Sequence, residues 1–114
     1  MPYIYKILKR AEWDAAVRAG RFEGAAIDLA DGYIHLSTAA QAPETARRYF
    51  TGQTGLALVR FDATALGVAL RWEPSRGGDL FPHIYGALDP ELAEAVTEIE
   101  LDADGTPRLG DLPP

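Results

Sequence analysis

The sequence predicts an α+β domain, and three observations carry that prediction. Two stretches with helical periodicity come early, over residues 12–19 and beyond Thr38. Everything after Gly55 reads as short strands divided by Gly and Pro turns. The length, 114 residues, fits one domain. The expected order is β-α-β-α-β-β-β-β: a small single domain with two N-terminal helices and a mostly antiparallel or split sheet, not a doubly wound one.

Residues 3–8 are rich in β-formers, with Tyr3, Tyr5 and Ile7 on one face and Ile4, Lys6 and Leu8 on the other. Over residues 12–19, Trp13, Ala16 and Val17 form an i, i+3, i+4 stripe, Arg18 sits in the last turn and Gly20 stops the helix. Residues 21–30 read as a connector and Asp31-Gly32 as a turn. Tyr33-Ile34-His35-Leu36 is a short strand with Tyr33 and His35 on one face. Thr38 and Gln41 have capping-box spacing for the next helix. Pro43 fits a start at Thr38 poorly, so the first turn is expected later. That helix should turn Ala42, Ala46, Tyr49 and Phe50 inward, turn Arg47 and Arg48 outward, and end at Gly52.

Residues 56–61 are nearly all apolar, as in a strand buried on both faces. Residues 68–73 alternate, with Val68, Leu70 and Trp72 on one side and Arg71 and Glu73 on the other. A loop over 74–78 leads to a strand over 80–85, in which Pro82 favours an edge or a bulge. Asp89-Pro90 can open one helical turn, residues 95–101 form a last strand, and Asp104-Gly105 turns out of it. The domain core is expected over about residues 3–101, with 102–114 a loose tail.

Composition narrows the function classes. There is no cysteine, which excludes disulfides, thiolate metal sites and cysteine nucleophiles. Net charge is -6, but unevenly placed. Residues 1–88 hold ten Lys/Arg against nine Asp/Glu, and residues 89–114 hold one against eight. A broad basic face for bulk nucleic-acid binding is therefore not expected, whereas a small anion held by a few arginines is. No apolar run approaches a membrane span and the first residues lack a signal-peptide pattern, so the expectation is a cytoplasmic protein without a membrane partner. Oligomeric state is not legible.

Two segments concentrate chemistry-bearing residues. In the first, residues 31–38, a turn leads to His35 and then to Ser37 and Thr38 at an expected helix start, where backbone N–H groups favour an anion. His35 can orient a hydroxyl or donate to a phosphate. Equally, Ser37 or Thr38 can serve as a plain cap, with His35 satisfying a backbone carbonyl. In the second, residues 71–85, Arg71 and Glu73 share a face, Arg76 lies in a glycine loop, and His83 and Tyr85 share the next strand's face. Arginine forks suit phosphate, and Trp72, Phe81 or Tyr85 can stack on a base. The same stretch also reads as a surface hairpin with an Arg71–Glu73 ion pair. His35 and His83 with Asp31 or Glu73 match no compact metal motif, so no metal is expected. Ser37 and Ser75, the only serines, lie in no nucleophile elbow, and no glycine-rich dinucleotide or Walker loop is present. His35 and His83 also suit the acid and base of an unrelated hydrolase or isomerase.

The succession YKIL, AEWDAAVRAG, DGYIHLST, ETARRYF and RWEPSRGGDLFPHIYG resembles a bacterial family catalogued as domain-of-unknown-function family 952, over roughly residues 3–101. That family is in turn distantly similar to the ADP-ribosyltransferase fold, particularly RNA 2′-phosphotransferases. The resemblance sets Tyr5-Lys6 on the first motif's Tyr-His and Tyr33-Ile34-His35-Leu36-Ser37 on the second motif. His35 then matches the second motif's second histidine, Tyr33 replaces the first, and Lys6 replaces the first motif's histidine. The motif's Gly-Thr is absent. Glu73 is the candidate for a catalytic glutamate, or His83 takes the third-motif region.

The resemblance implies NAD as a possible substrate, or another small phosphorylated nucleotide as ligand. His35, Glu73 and His83 would be the catalytic residues, and Lys6, Tyr33, Ser37, Thr38, Arg71, Trp72, Arg76 and Tyr85 would bind the ligand. The chain would act as an ADP-ribosyltransferase-like transferase or as a non-catalytic binding module on the same fold. Transfer of ADP-ribose builds positive charge on a sugar. Lys6 at that place would oppose it unless it grips a phosphate.

Overall fold

The computed structural model describes residues 2–114. β1 (Tyr3–Lys9) runs into α1 (Arg10–Ala19), and α2 (Ala26–Asp31) precedes β2 (Ile34–His35) and β3 (Ser37–Thr38). α3 (Ala42–Phe50) leads to β4 (Leu56–Asp62), a 3-10 segment (Ala63–Ala69), β5 (Leu70–Pro74), β6 (Leu80–Ile84), β7 (Ala93–Leu101) and β8 (Pro107–Arg108). The strands divide into two antiparallel sheets, ordered β3-β1-β4-β7-β8 and β2-β6-β5. The α+β class and the split antiparallel sheet are as predicted, with a third helix added.

The apolar run of β4 explains its place: it pairs with β1 along its whole length and with β7 on the other side, and is buried on both faces. One core lies on the Ile4–Leu8 face of β1 and is closed by Trp13, Phe22, Phe61 and Ile84. Trp13 meets Phe61 edge to face at 6.2 Å. A second core on the Tyr5–Ile7 face holds Ala46, Leu56, Leu58 and Ile99.

Several expectations are corrected. Residues 21–30 are not all connector, because 26–31 wind into α2 and stop at Gly32, whose φ of 89° needs glycine. Ser37 and Thr38 are a strand, not a helix start: after Leu36 the chain passes to the larger sheet, where Tyr5 pairs with Ser37 and Ile4 with Thr38. The capping residues still work. Thr38 N donates to Gln41 Oε1 and Gln41 N donates to Thr38 Oγ1, just ahead of α3, in which Pro43 occupies the first turn. Tyr49 is exposed rather than packed in the core, because Ala42, Ala46 and Phe50 define the covered stripe and Tyr49 falls to its side. Val17, likewise expected in a buried stripe, is exposed.

Val68 belongs to the 3-10 segment and is 99% exposed, since Asp62 caps Thr64 N and the chain winds before β5 begins. Pro82 is in the middle strand of its sheet rather than at an edge. Its carbonyl accepts from Leu36 N at 3.0 Å, so its missing donor faces the side where β2 has ended. Pro107–Arg108, expected in a loose tail, pair with β7 as β8. Beyond them Leu109 and Leu112 pack on the second core, and Tyr5 Oη donates to the carbonyl of Pro113.

Candidate functional site

The small sheet aims one face at a hollow. Antiparallel register sets Arg71 and His35 on either side of His83, and Glu73 beside Phe81. Directly paired residues share a face, so these side chains stand together while Trp72 and Ile84 point the other way. Trp72 thus lies outside the hollow, 39% exposed.

Asp28 organises one end. Its carboxylate is buried, and both oxygens are taken. Lys6 Nζ lies 2.8 Å from Oδ2 and 3.0 Å from Oδ1, Ala25 N donates to Oδ2 at 2.8 Å, and His35 N donates to Oδ1 at 3.0 Å. His35 Nδ1 lies 2.6 Å from the same Oδ1. Burial raises the Asp28 carboxyl, but the bond from His35 and the charge of Lys6 outweigh it and hold the group down at about 2. An ionised carboxylate only accepts, so His35 Nδ1 carries the hydrogen of that bond. Burial pulls Lys6 below the lysine range, and Asp28 opposes that shift. Lys6 Nζ also donates to the His35 carbonyl at 2.9 Å. Gly24 makes room for the arrangement: a Cβ there would come within 2.8 Å of Asp28 Cβ.

His83 is oriented in the same way. Its Nδ1 is 2.8 Å from Glu73 Oε1, which also accepts from Tyr85 Oη at 2.7 Å. The bonds from His83 and Tyr85 draw the Glu73 carboxyl down, and the bond to Glu73 pushes the Tyr85 phenol up. In the neutral His83 ring, Nε2 is then the acceptor. Tyr33 lies among the rings, with its centroid 4.2 Å from His83, 4.7 Å from His35 and 5.3 Å from Tyr85. The two imidazoles are 5.5 Å apart. His35 Nε2 faces Asp31, with Oδ2 at 2.9 Å.

The hollow has a volume of about 480 Å³, within the usual range of small-molecule sites. Lys6, Tyr33, His35, Ser37, Arg76 and His83 of the sequence-predicted residues line it. Glu73 and Tyr85 stand behind His83 and Tyr33 rather than on the wall, and Arg71 stacks over Tyr85 at 4.7 Å. Thr38 is spent on Gln41. Lys6 is spent on Asp28, so it is not the free phosphate grip that the sequence allowed. Arg76 lies over Phe81 at 4.9 Å and reaches Thr45 Oγ1 at 3.3 Å, and Thr45 is 3.0 Å from Ser37 Oγ. The expected Arg71–Glu73 ion pair is not formed; Glu73 bonds His83 and Tyr85 instead.

Sequence reasoning missed Asp28, Thr45 and Tyr49. The signal for Asp28 was an acidic residue four positions before a turn glycine in an alanine-rich stretch, Ala25-Ala26-Ile27-Asp28. Read as the third residue of a short helix, it can reach back to the N-cap N–H. Thr45 and Tyr49 lie one turn apart on α3, and only the packing of α3 beside the hairpin brings them to the hollow.

Fold and site together define a small α+β domain whose two antiparallel sheets frame a cavity with two carboxylate-held histidines. The chain belongs to the family described as protein of unknown function, DUF952, whose model matches residues 7–99. Protein CC0527 from Caulobacter crescentus is similar in sequence and fold. Its crystal structure is 56% identical, with a TM-score of 0.92 over 95% of each chain. Its solution NMR structure is 55% identical, with a TM-score of 0.86 over 96% of this chain and 95% of that one. No curated protein matches the chain. No helix among the described residues is long and apolar enough to cross a membrane.

Proposed function

We propose that the hollow binds a small phosphorylated nucleotide of the NAD or ADP-ribose class. The observation that carries this reading is the position of Arg76. Arg10, Arg21, Arg47, Arg48, Arg60 and Arg108 each pair with a carboxylate. Arg18, Arg71 and Arg76 pair with none among the described residues, and of these three it is Arg76 that stands on the cavity wall, with hydroxyl and ring neighbours. A guanidinium so placed is available to a phosphate fork. Tyr49 and Phe81 offer ring surface beside it, and Tyr33 offers more elsewhere on the wall.

Transfer of ADP-ribose is the finer form of the proposal, drawn from the resemblance of Tyr33–Ser37 to the ADP-ribosyltransferase motif. The pairing of Lys6 with Asp28 supports it, because a neutralised ammonium no longer opposes a cationic sugar nearby. His35 and His83 are then the groups on the wall that steady the ribose and the developing charge, with Glu73 acting from behind through the bond that holds His83. A second reading, an acid–base enzyme of another class, is favoured by the 5.5 Å between two imidazoles whose Nδ1 atoms both face carboxylates.

Calorimetric titration with NAD, ADP-ribose and adenosine 5′-monophosphate tests the binding. Saturable binding that weakens in Arg76→Ala and His35→Ala supports it, and its absence for all three ligands removes it. Release of nicotinamide from bound NAD separates transfer from a non-catalytic binding module.

A further inference from the structure

The hollow is lined by a guanidinium, Arg76, and by a carboxylate, Asp31, each with its own neighbours. Arg76 lies over Phe81 and reaches Thr45, whose hydroxyl is shared with Ser37. Phe81 and His83 are two residues apart on β6 and share a face, so they lie roughly 7 Å apart. His35 stands next to His83, at 5.5 Å. Beyond His35 comes Asp31, 2.9 Å from Nε2. The succession of neighbours is therefore guanidinium, phenyl, imidazole, imidazole, carboxylate, along β6 from Phe81 to His83 and then across the sheet to His35 and Asp31.

Asp31 differs from Asp28 in one respect that matters for a ligand. Every oxygen of Asp28 is buried and committed, whereas the side chain of Asp31 is 43% exposed and lines the hollow. Among the described residues its one polar side-chain partner is His35 Nε2, met through Oδ2. With Oδ2 engaged by His35, Oδ1 is left to accept hydrogen bonds, and the carboxylate's charge disfavours an anion beside that oxygen. Sugar hydroxyls donate such bonds, and acidic side chains take ribose hydroxyls in dinucleotide sites for this reason. A phosphate at the same place would face Asp31 with like charge, in surroundings of lower dielectric than water.

We propose that Asp31 sets the direction and the specificity of the ligand: its phosphate lies at Arg76, and free sugar hydroxyls, never a second phosphate, face Asp31 and His35. This rests on the nucleotide reading above and adds to it a preference for a nucleotide with an unmodified ribose diol.

The test compares adenosine 5′-monophosphate with adenosine 3′,5′-bisphosphate by calorimetry, on the full chain and on Asp31→Asn. The intact protein should bind the monophosphate more tightly, on the order of tenfold. Asp31→Asn should close most of that gap, because the amide keeps the shape and loses the charge. Asp31→Ser, with a shorter uncharged side chain, provides a second variant. The comparison on the unaltered chain stands whether or not either variant folds. Equal or tighter binding of the bisphosphate by the unaltered chain overturns the proposal, as does a ratio that Asp31→Asn leaves unchanged. If that happens while Arg76→Ala still weakens monophosphate binding, the nucleotide reading survives and only the role of Asp31 falls. If neither nucleotide binds any form of the protein, both fall.

Discussion

The imidazole of His35 meets the buried carboxylate of Asp28, Nδ1 to Oδ1, at 2.6 Å. The same carboxylate holds Lys6 from the neighbouring sheet and the backbone N–H groups of Ala25 and His35. One side chain therefore ties α2, β1 and β2 together and fixes one ring of the hollow. The consequences are separable by experiment.

Lys6→Met removes the cation and leaves a buried carboxylate with an uncompensated charge. A loss of about 3–5 kcal/mol in urea unfolding is expected, because breaking one side of a buried pair strands the other. A loss of under about 1 kcal/mol would mean that the backbone donors and His35 suffice.

Acid should unfold the protein partly through Asp28. The folded carboxyl is held at about 2, below its ordinary 3.8. A depressed folded value gives stability that is present above the unfolded value and lost as pH falls through the folded one. About 2 kcal/mol should therefore disappear between pH 4 and pH 2. The lowered carboxyls of Glu73 and Glu44 act in the same direction. Asp28→Asn should start from lower stability and show a flatter acid limb, followed by circular dichroism against pH. An unchanged slope would exclude Asp28 as a source of the acid dependence.

Gly24→Ala should damage the site as well as the fold. At φ of 124° a side chain is strained, and the new Cβ would meet Asp28 Cβ at 2.8 Å. A cost of about 1–3 kcal/mol follows from the backbone alone. Denaturation measures that cost, and the side-chain NMR signals of His35 report whether Asp28 has moved away. Full stability with unshifted His35 signals would contradict the crowding.

Tyr85 should ionise late. Its bond to Glu73 keeps the phenol protonated above the ordinary tyrosine value of 10.0, because a phenolate would face a carboxylate. Ultraviolet titration of the phenolates should lose a late step in Tyr85→Phe. In Glu73→Gln, Tyr85 should move back down. Burial also raises Tyr5, so one late step remains in Tyr85→Phe; a second late step that persists in Glu73→Gln as in the unaltered protein would show that Glu73 does not govern Tyr85.

The sequence made the main strands legible because β1 and β4 carry strong β-patterns and pair with each other, and because Pro43 marks where a helix can begin. It concealed α2, whose six residues are too short for a helical stripe to stand out. It also concealed the role of Asp28, which depends on Lys6 and His35 arriving from different sheets. Pairing of His35 with His83 is a matter of strand register, and no local pattern announces it. Trp72 and Thr38 carried suitable chemistry by type, but the pleat turned Trp72 outward and a local capping exchange took up Thr38. The last residues read as a tail by composition, although Leu109 and Leu112 had an apolar face to cover.

The most direct test of the central claim is a calorimetric titration of ADP-ribose into the unaltered protein and into Arg76→Ala. Saturable one-to-one binding that falls at least about tenfold in the variant, with the variant still folded, is the expected result. No heat of binding at millimolar ligand, or equal affinity in the two proteins, would contradict it.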